Sequence, residues 1–119
     1  MKIVLIADDK SAGRELVRTV LEHEYRVIEA ADGNEALQMA RQHHPDLIML
    51  DLHMPGLDGF GVIAELRRAA EFDATPIVAL TASAMQGDRE RAMSAGFTGY
   101  LTKPLRLTDL RSEVQRLLP

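Results

Sequence analysis

Cysteine is absent from the 119 residues, so disulfides and thiolate chemistry are excluded. Long apolar runs are missing too: none approaches a membrane span, and the strand-like N-terminus carries no secretory leader pattern. Cationic excess is lacking, with 14 Lys and Arg against 18 Asp and Glu and a net charge of −4. That balance argues against sequence-independent attraction to nucleic acid, which needs clustered Lys and Arg. There is no Pro/Ser-rich linker and no low-complexity tract. What remains is the composition of an ordinary globular domain, 46% apolar and 27% charged. A chain of this length buries roughly two thirds of its unfolded surface and folds without staples. One cytoplasmic domain over residues 1–119, with no membrane or nucleic-acid partner, is the expectation.

The stretch that organises the chain runs from Pro45 to Gly59. Leu47 to Leu50 form a short continuous apolar run, the pattern of a strand with both faces buried in a parallel sheet, and the run ends on Asp51. Met54-Pro55-Gly56 then breaks the ladder. Asp51 is expected at a strand-to-loop boundary, exposed at the sheet's edge, where open α/β sheets bind ligands. It is too far ahead of the next helical periodicity, after Asp58-Gly59, to act as that helix's cap.

The same unit recurs along the chain. Residues 2–7 are a second buried run ending on Asp8 and Asp9, and a first helix follows from Ser11, a candidate N-cap, to about residue 23. Residues 25–30 mix β-formers with polar residues, as an edge strand does, and Asp32-Gly33 turns into a helix at about 35–42. A third helix fades near residue 70, and residues 77–80 form a strand ending on Thr81. A charged fourth helix with a weak apolar stripe spans about 85–95 and stops at Gly96. Residues 99–102 form a short strand before Lys103-Pro104, and a last helix carries Leu107, Leu110, Val114 and Leu117. Five βα units predict a doubly wound five-stranded parallel sheet with right-handed crossovers.

Strand ends then converge on one rim: Asp8 and Asp9, Asp51, Thr81 and Lys103. If the first strand is central, it neighbours the third, and three carboxylates crowd together. Crowded carboxylates call for a cation, and hard oxygen donors with room left for water and phosphate suit Mg²⁺. Asp9 and Asp51 with the His53 carbonyl are the expected direct ligands, with Asp8 acting mainly through water. A carboxylate so placed can attack phosphorus and become an aspartyl phosphate, Thr81 and Lys103 contacting the phosphoryl oxygens. The histidines at 23, 43, 44 and 53 show no i, i+4 pair on a helix and read as surface residues.

In order and spacing these residues resemble the bacterial response-regulator receiver family over essentially the whole chain. The resemblance rests on Asp8-Asp9, residues 31–37, residues 45–51 with Met54-Pro55 and Asp58-Gly59, Leu80-Thr81-Ala82, Ala95-Gly96 and Lys103-Pro104. It implies a flavodoxin-like (βα)5 fold with strand order 2-1-3-4-5. It also implies phosphorylation of Asp51 by a histidine kinase or histidine phosphotransfer protein, Mg²⁺ organised by Asp8 and Asp9, and a cis bond before Pro104. Tyr100 matches the family's switch aromatic, which turns inward as Thr81 moves; the plainer reading packs it against the last helix. Output is expected on the face of the fourth helix, fifth strand and last helix, presented to a downstream protein by a monomer or weak homodimer. His53 and Ser83, two residues beyond Asp51 and Thr81, would flank the water that ends the signal. Lacking the amide and carboxylate pair of fast receivers, this chain is expected to dephosphorylate itself slowly. Catalysis would be confined to its own phosphorylation and dephosphorylation.

Two other readings compete. A Mg²⁺-dependent phosphatase of the haloacid-dehalogenase type also uses an Asp nucleophile, but wants it on the first strand in a D-x-D pattern with a cap insertion; here the first strand ends Asp8-Asp9-Lys10, and no segment is long enough for a cap. A receiver cut from a hybrid kinase or transcription factor is the other, and an end at Leu118-Pro119 without a linker favours a stand-alone protein.

Overall fold

The structure is a computed structural model that describes residues 1–82, 85 and 87–119. Five strands, β1 (Ile3–Ala7), β2 (Arg26–Ala30), β3 (Leu47–Asp51), β4 (Ile77–Thr81) and β5 (Gly99–Thr102), form one parallel sheet in the order β2-β1-β3-β4-β5. This is the expected doubly wound fold, with β2 at an edge. The helices are α1 (Ser11–Leu21), α2 (Gly33–His43), α3 (Gly59–Arg67), α4 (Asp88–Ser94) and α5 (Leu107–Leu117).

The continuous apolar runs conceal a strict alternation. Leu5, Ala7, Ile48, Leu50, Ile77 and Ala79 face a core completed by Ala36 and Ala40 of α2, Val62 and Leu66 of α3, and Ala92 of α4. The residues between them, Val4, Ile6, Leu47, Met49, Val78 and Leu80, face a second core under Val17 and Leu21 of α1 and Leu110 and Val114 of α5. Successive side chains on a strand point to opposite faces, so a sheet covered on both sides needs apolar residues at every position.

Helix boundaries differ from the periodicity in instructive ways. Ser11 does not cap α1: Lys10 is the cap residue, without a side-chain bond, and its carbonyl accepts from Gly13 and Arg14. α2 begins at Gly33, earlier than expected, because Asp32 accepts from the Glu35 amide at 2.8 Å while Glu35 Oε1 accepts from the Ala31 amide at 2.8 Å. α3 stops at Arg67, ahead of the expected fade, and a single 3-10 turn (Ala70–Phe72) buries Phe72. α4 is shorter than expected, starting at Asp88 after Gly87 at φ 91°; Gly96, at φ 107°, ends it as the sequence suggested. No helix among the described residues is long and apolar enough to cross a membrane.

Candidate functional site

Asp8 and Asp51 reach the same rim because β1 and β3 pair in register, Ala7 opposite Leu50. Neither carboxylate lies exposed at the edge: Asp51 is 5% accessible and Asp8 1%. The cover is Lys103, which follows β5 and extends across the strand ends. Its Nζ donates to Asp8 Oδ2 and to Asp51 Oδ2, both at 2.7 Å. The second oxygen of each carboxylate accepts from a backbone amide two residues on, Asp8 Oδ1 from Lys10 and Asp51 Oδ1 from His53, each at 2.9 Å. Burial works against the Lys103 ammonium, but its hydrogen bonds to Asp51 and Asp8, with the two carboxylate charges, outweigh that and hold its pKa above the ordinary lysine value.

Asp9 is exposed, yet one oxygen each from Asp8, Asp9 and Asp51 lies within 4.8 Å of the others. Three carboxylates and one ammonium leave a local excess of negative charge. The donor set is all oxygen and open to solvent on the Asp9 side, so it fits a hard divalent cation. Among the described residues no other group of three or more His or acidic side chains comes together this way.

Thr81 is fully buried at the end of β4, next to the strand that carries Asp51, and its carbonyl accepts from the Lys103 amide at 2.7 Å. That bond sets the starting point of the lysine's reach. The Lys103-Pro104 bond is cis, as expected. His53 joins the site through its backbone amide, with its side chain exposed. Ser83 lies outside the described residues. Ala82 is exposed beside the cleft. Next to Lys103, an apolar groove of about 280 Å³ is lined by Ala12, Gly13, Leu16, Pro104 and Leu105 with Lys10 at its rim. A hollow of about 470 Å³ lies elsewhere, among Met1, Ile3, Arg18, Tyr25 and Arg26, and shares no residue with the acidic cluster.

Tyr100 does not pack against α5, contrary to the plainer expectation. Alternation along β5 sends Leu101 to the α1/α5 side and Tyr100 to the opposite core. Its hydroxyl is buried and is the one such side-chain atom among the described residues without a hydrogen bond. Burial raises the phenol pKa, Asp88 and Glu90 push the same way, and Arg89 opposes them. α4 contributes one fully buried residue, Ala92, and is held against α3 by Arg91, stacked 4.2 Å above the Phe60 ring, which in turn meets Phe97 edge-on.

Sequence reasoning missed Arg14. Its Nη1 donates to the Asp8 carbonyl at 2.7 Å and its Nε to Glu29 at 3.2 Å, tying the two-carboxylate turn to β2. Nothing in helical periodicity distinguishes this arginine from a solvated one.

Comparison with known proteins gives a consistent picture. The family model for the response regulator receiver domain matches residues 4–115. The polar-differentiation response regulator DivK of Brucella ovis is 39% identical over 105 residues, covering 87% of this chain and 85% of DivK. A probable transcriptional regulator, ycf27 of Porphyridium aerugineum, is also 39% identical, over 97% of this chain, which spans only 47% of that relative. Among solved structures, the Vibrio cholerae chemotaxis protein CheY4 superposes with a TM-score of 0.93 at 34% identity, covering 99% of both chains. The receiver domain of the sensor histidine kinase PA1611 from Pseudomonas aeruginosa, solved with a magnesium ion coordinated in its active-site cleft, gives 0.88 at 35% identity, over 98% of this chain and 96% of its own.

Proposed function

Since the chain belongs to the response regulator receiver domain family, we propose that it works as a phosphorelay switch in which Asp51 takes a phosphoryl group from a histidine kinase or histidine phosphotransfer protein. The observation that carries this reading is the shared grip of Lys103 on Asp8 and Asp51 inside a cluster of three carboxylates. In the transfer, an Asp51 carboxylate oxygen attacks phosphorus, the donor's nitrogen–phosphorus bond breaks, and the imidazole leaves with the bond's electron pair. Lys103 exchanges a carboxylate for a phosphoryl oxygen and offsets its charge, while the Thr81 hydroxyl donates to another. The His53 amide, already on Asp51 Oδ1, keeps the carboxylate oriented. Asp8, Asp9 and Asp51, with the His53 carbonyl, are the groups that would hold Mg²⁺, which when bound supplies further neutralisation of the phosphoryl charge. The apolar groove beside Lys103 gives the donor protein a surface next to the cleft.

Output follows from the Thr81–Tyr100 side. The Tyr100 ring sits with a buried, unpartnered hydroxyl beside α4, so its present place is not one that satisfies it fully. Movement of Thr81 toward a phosphoryl group would let the ring repack and change the α4-β5-α5 face that a downstream protein reads. At the other end of the signal, the exposed His53 side chain and Ser83 lack the amide and carboxylate that orient an attacking water well, and a slow self-dephosphorylation is the consequence. The domain so proposed is residues 1–119, and the chemistry proposed for it is its own phosphorylation and dephosphorylation.

Incubation with acetyl phosphate and Mg²⁺ should add one phosphoryl group by mass spectrometry, and Asp51→Asn should abolish it. Equal labelling of that variant, or indifference to a chelator, would show that the site is misassigned. His53→Asn combined with Ser83→Glu should speed phosphate release, and an unchanged or slower release would remove these two side chains from the control of lifetime.

A further inference from the structure

Glycine is among the poorest helix formers, yet Gly13 sits in the first turn of α1, where nothing about its backbone demands it. What it faces explains its presence. A Cβ built on Gly13 would collide with the Asp8 carboxylate, and the atoms nearest to it are Asp8 Oδ2, Cγ and Oδ1. The site therefore extends into space that every other residue type would fill.

We propose that Gly13 is a positioning residue of the acidic cleft: the missing side chain is the seat into which the Asp8 carboxylate turns so that one of its oxygens meets Lys103 and the other the Lys10 amide. This rests on the reading of the cleft as a Mg²⁺ and phosphoryl site, and assigns a residue to that site which touches neither ligand. The collision with a larger residue cannot be relieved by the helix. α1 is locked to the sheet by Val17, Val20 and Leu21, all buried, and Arg14 ties its first turn to the Asp8 carbonyl at 2.7 Å and to Glu29. Asp8 is also held where it is, 1% accessible with one oxygen on Lys103 and the other on the Lys10 amide. Relief must come from rotation of the Asp8 carboxylate, at the expense of its bond to Lys103, its bond to Lys10, or both. α1 thus grips Asp8 twice, by Arg14 on the main chain and by the bare Cα of Gly13 on the side chain.

The test is a double-mutant cycle of Gly13→Ala and Asp8→Ala on the full chain, read by calorimetric titration with MgCl₂ alone and, in metal-free protein, by thermal melting and exchange of the Lys10 amide hydrogen. Gly13→Ala should weaken Mg²⁺ about tenfold, the effect typical of disturbing a ligand's support. It should also speed Lys10 amide exchange and leave the melting temperature unchanged or lower, despite the better helix former. In the Asp8→Ala background the carboxylate is gone. There the same change should raise the melting temperature and alter neither Mg²⁺ binding nor Lys10 exchange. A Gly13→Ala protein that fails to fold while the double variant folds would report the same collision. Should alanine stabilise both backgrounds equally and leave Mg²⁺ affinity and Lys10 exchange untouched in the parent, the proposal is overturned. If the parent itself binds no Mg²⁺, the functional reading falls, while melting and Lys10 exchange still decide the role of Gly13.

Discussion

The two rims of the sheet bury polar groups by opposite means. At the N-terminal rim, side chains are matched by backbone groups. The half-buried Arg67 guanidinium donates to the carbonyls of Gly96, Phe72 and Thr75 at 2.6–3.1 Å, Thr98 Oγ1 exchanges hydrogen bonds with Ile77, and Asp46 Oδ2 takes the Ile3 amide. Burial lowers the Arg67 pKa, with Asp73 opposing. At the C-terminal rim the partners are formal charges drawn from far apart in the chain, and they do not cancel: one ammonium serves a cluster of three carboxylates. Both rims hold the fold together, but a rim that satisfies itself has nothing left to bind, whereas one with uncompensated charge has room for the cation and phosphoryl group proposed for it. The difference separates a polar cluster that is complete in itself from one that is not, without reference to any motif.

The contrast is broken most severely at Lys103. Lys103→Met leaves Asp8 and Asp51 buried side by side without their cation, and should cost about 3–5 kcal/mol at neutral pH in denaturant titrations. Part of that loss should return on adding Mg²⁺. A loss that Mg²⁺ leaves unchanged would mean that the lysine only packs. Next comes Arg67→Met, expected to cost about 2–3 kcal/mol by leaving carbonyl oxygens without donors. Unlike the lysine variant, it should bind Mg²⁺ and accept a phosphoryl group as the parent does; a large fall in either would couple the two rims. A weaker effect is expected from alkali. Lys103 and Tyr100 both have folded-state pKa values above their ordinary ones of 10.5 and 10.0. Each therefore binds its proton more tightly when folded, so the fold keeps its full stability below those values and loses some of it as pH rises through the folded pKa. Melting against pH from 8 to 12 should fall more steeply in the parent than in Tyr100→Phe; parallel curves would contradict it. Smallest is the effect of Tyr100→Phe at neutral pH, a gain of up to about 1 kcal/mol from removing a buried hydroxyl without a partner. A clear loss of stability would show that the hydroxyl is satisfied in solution.

Much of this was legible beforehand. The alternation of apolar runs with helical stripes located the five strands and five α-helices of the described residues, and the polar residue at the end of each of four strands brought Asp8, Asp51, Thr81 and Lys103 onto one rim. The errors arose where a side chain answered to something outside its own segment. Asp51 was expected to be exposed and is buried, because Lys103 closes over it from β5. Tyr100 was open to two packings because periodicity places a strand residue on one of two faces without saying which helix lies there; its neighbours are those of the α2–α4 side. α2 starts early through the reciprocal Asp32 and Glu35 cap, which an inspection of residues 31–35 for a capping box would have found.

By itself the sequence determined the succession of elements and the chemistry at their ends, since strand and helix periods, proline and glycine breaks, and residue type all act over a few neighbouring positions. Strand order was foreseeable only through resemblance to a family, because nothing local says that β3 lies between β1 and β4. The tertiary structure alone decided which oxygen of Asp8 meets an ammonium 95 positions away, that Gly13 supplies the space for it, and that Arg67 serves three carbonyls across two loops. Those contacts depend on side-chain rotamers and on the approach of distant elements. Periodicity carries no information about either, because it describes a segment's faces and not what is packed against them.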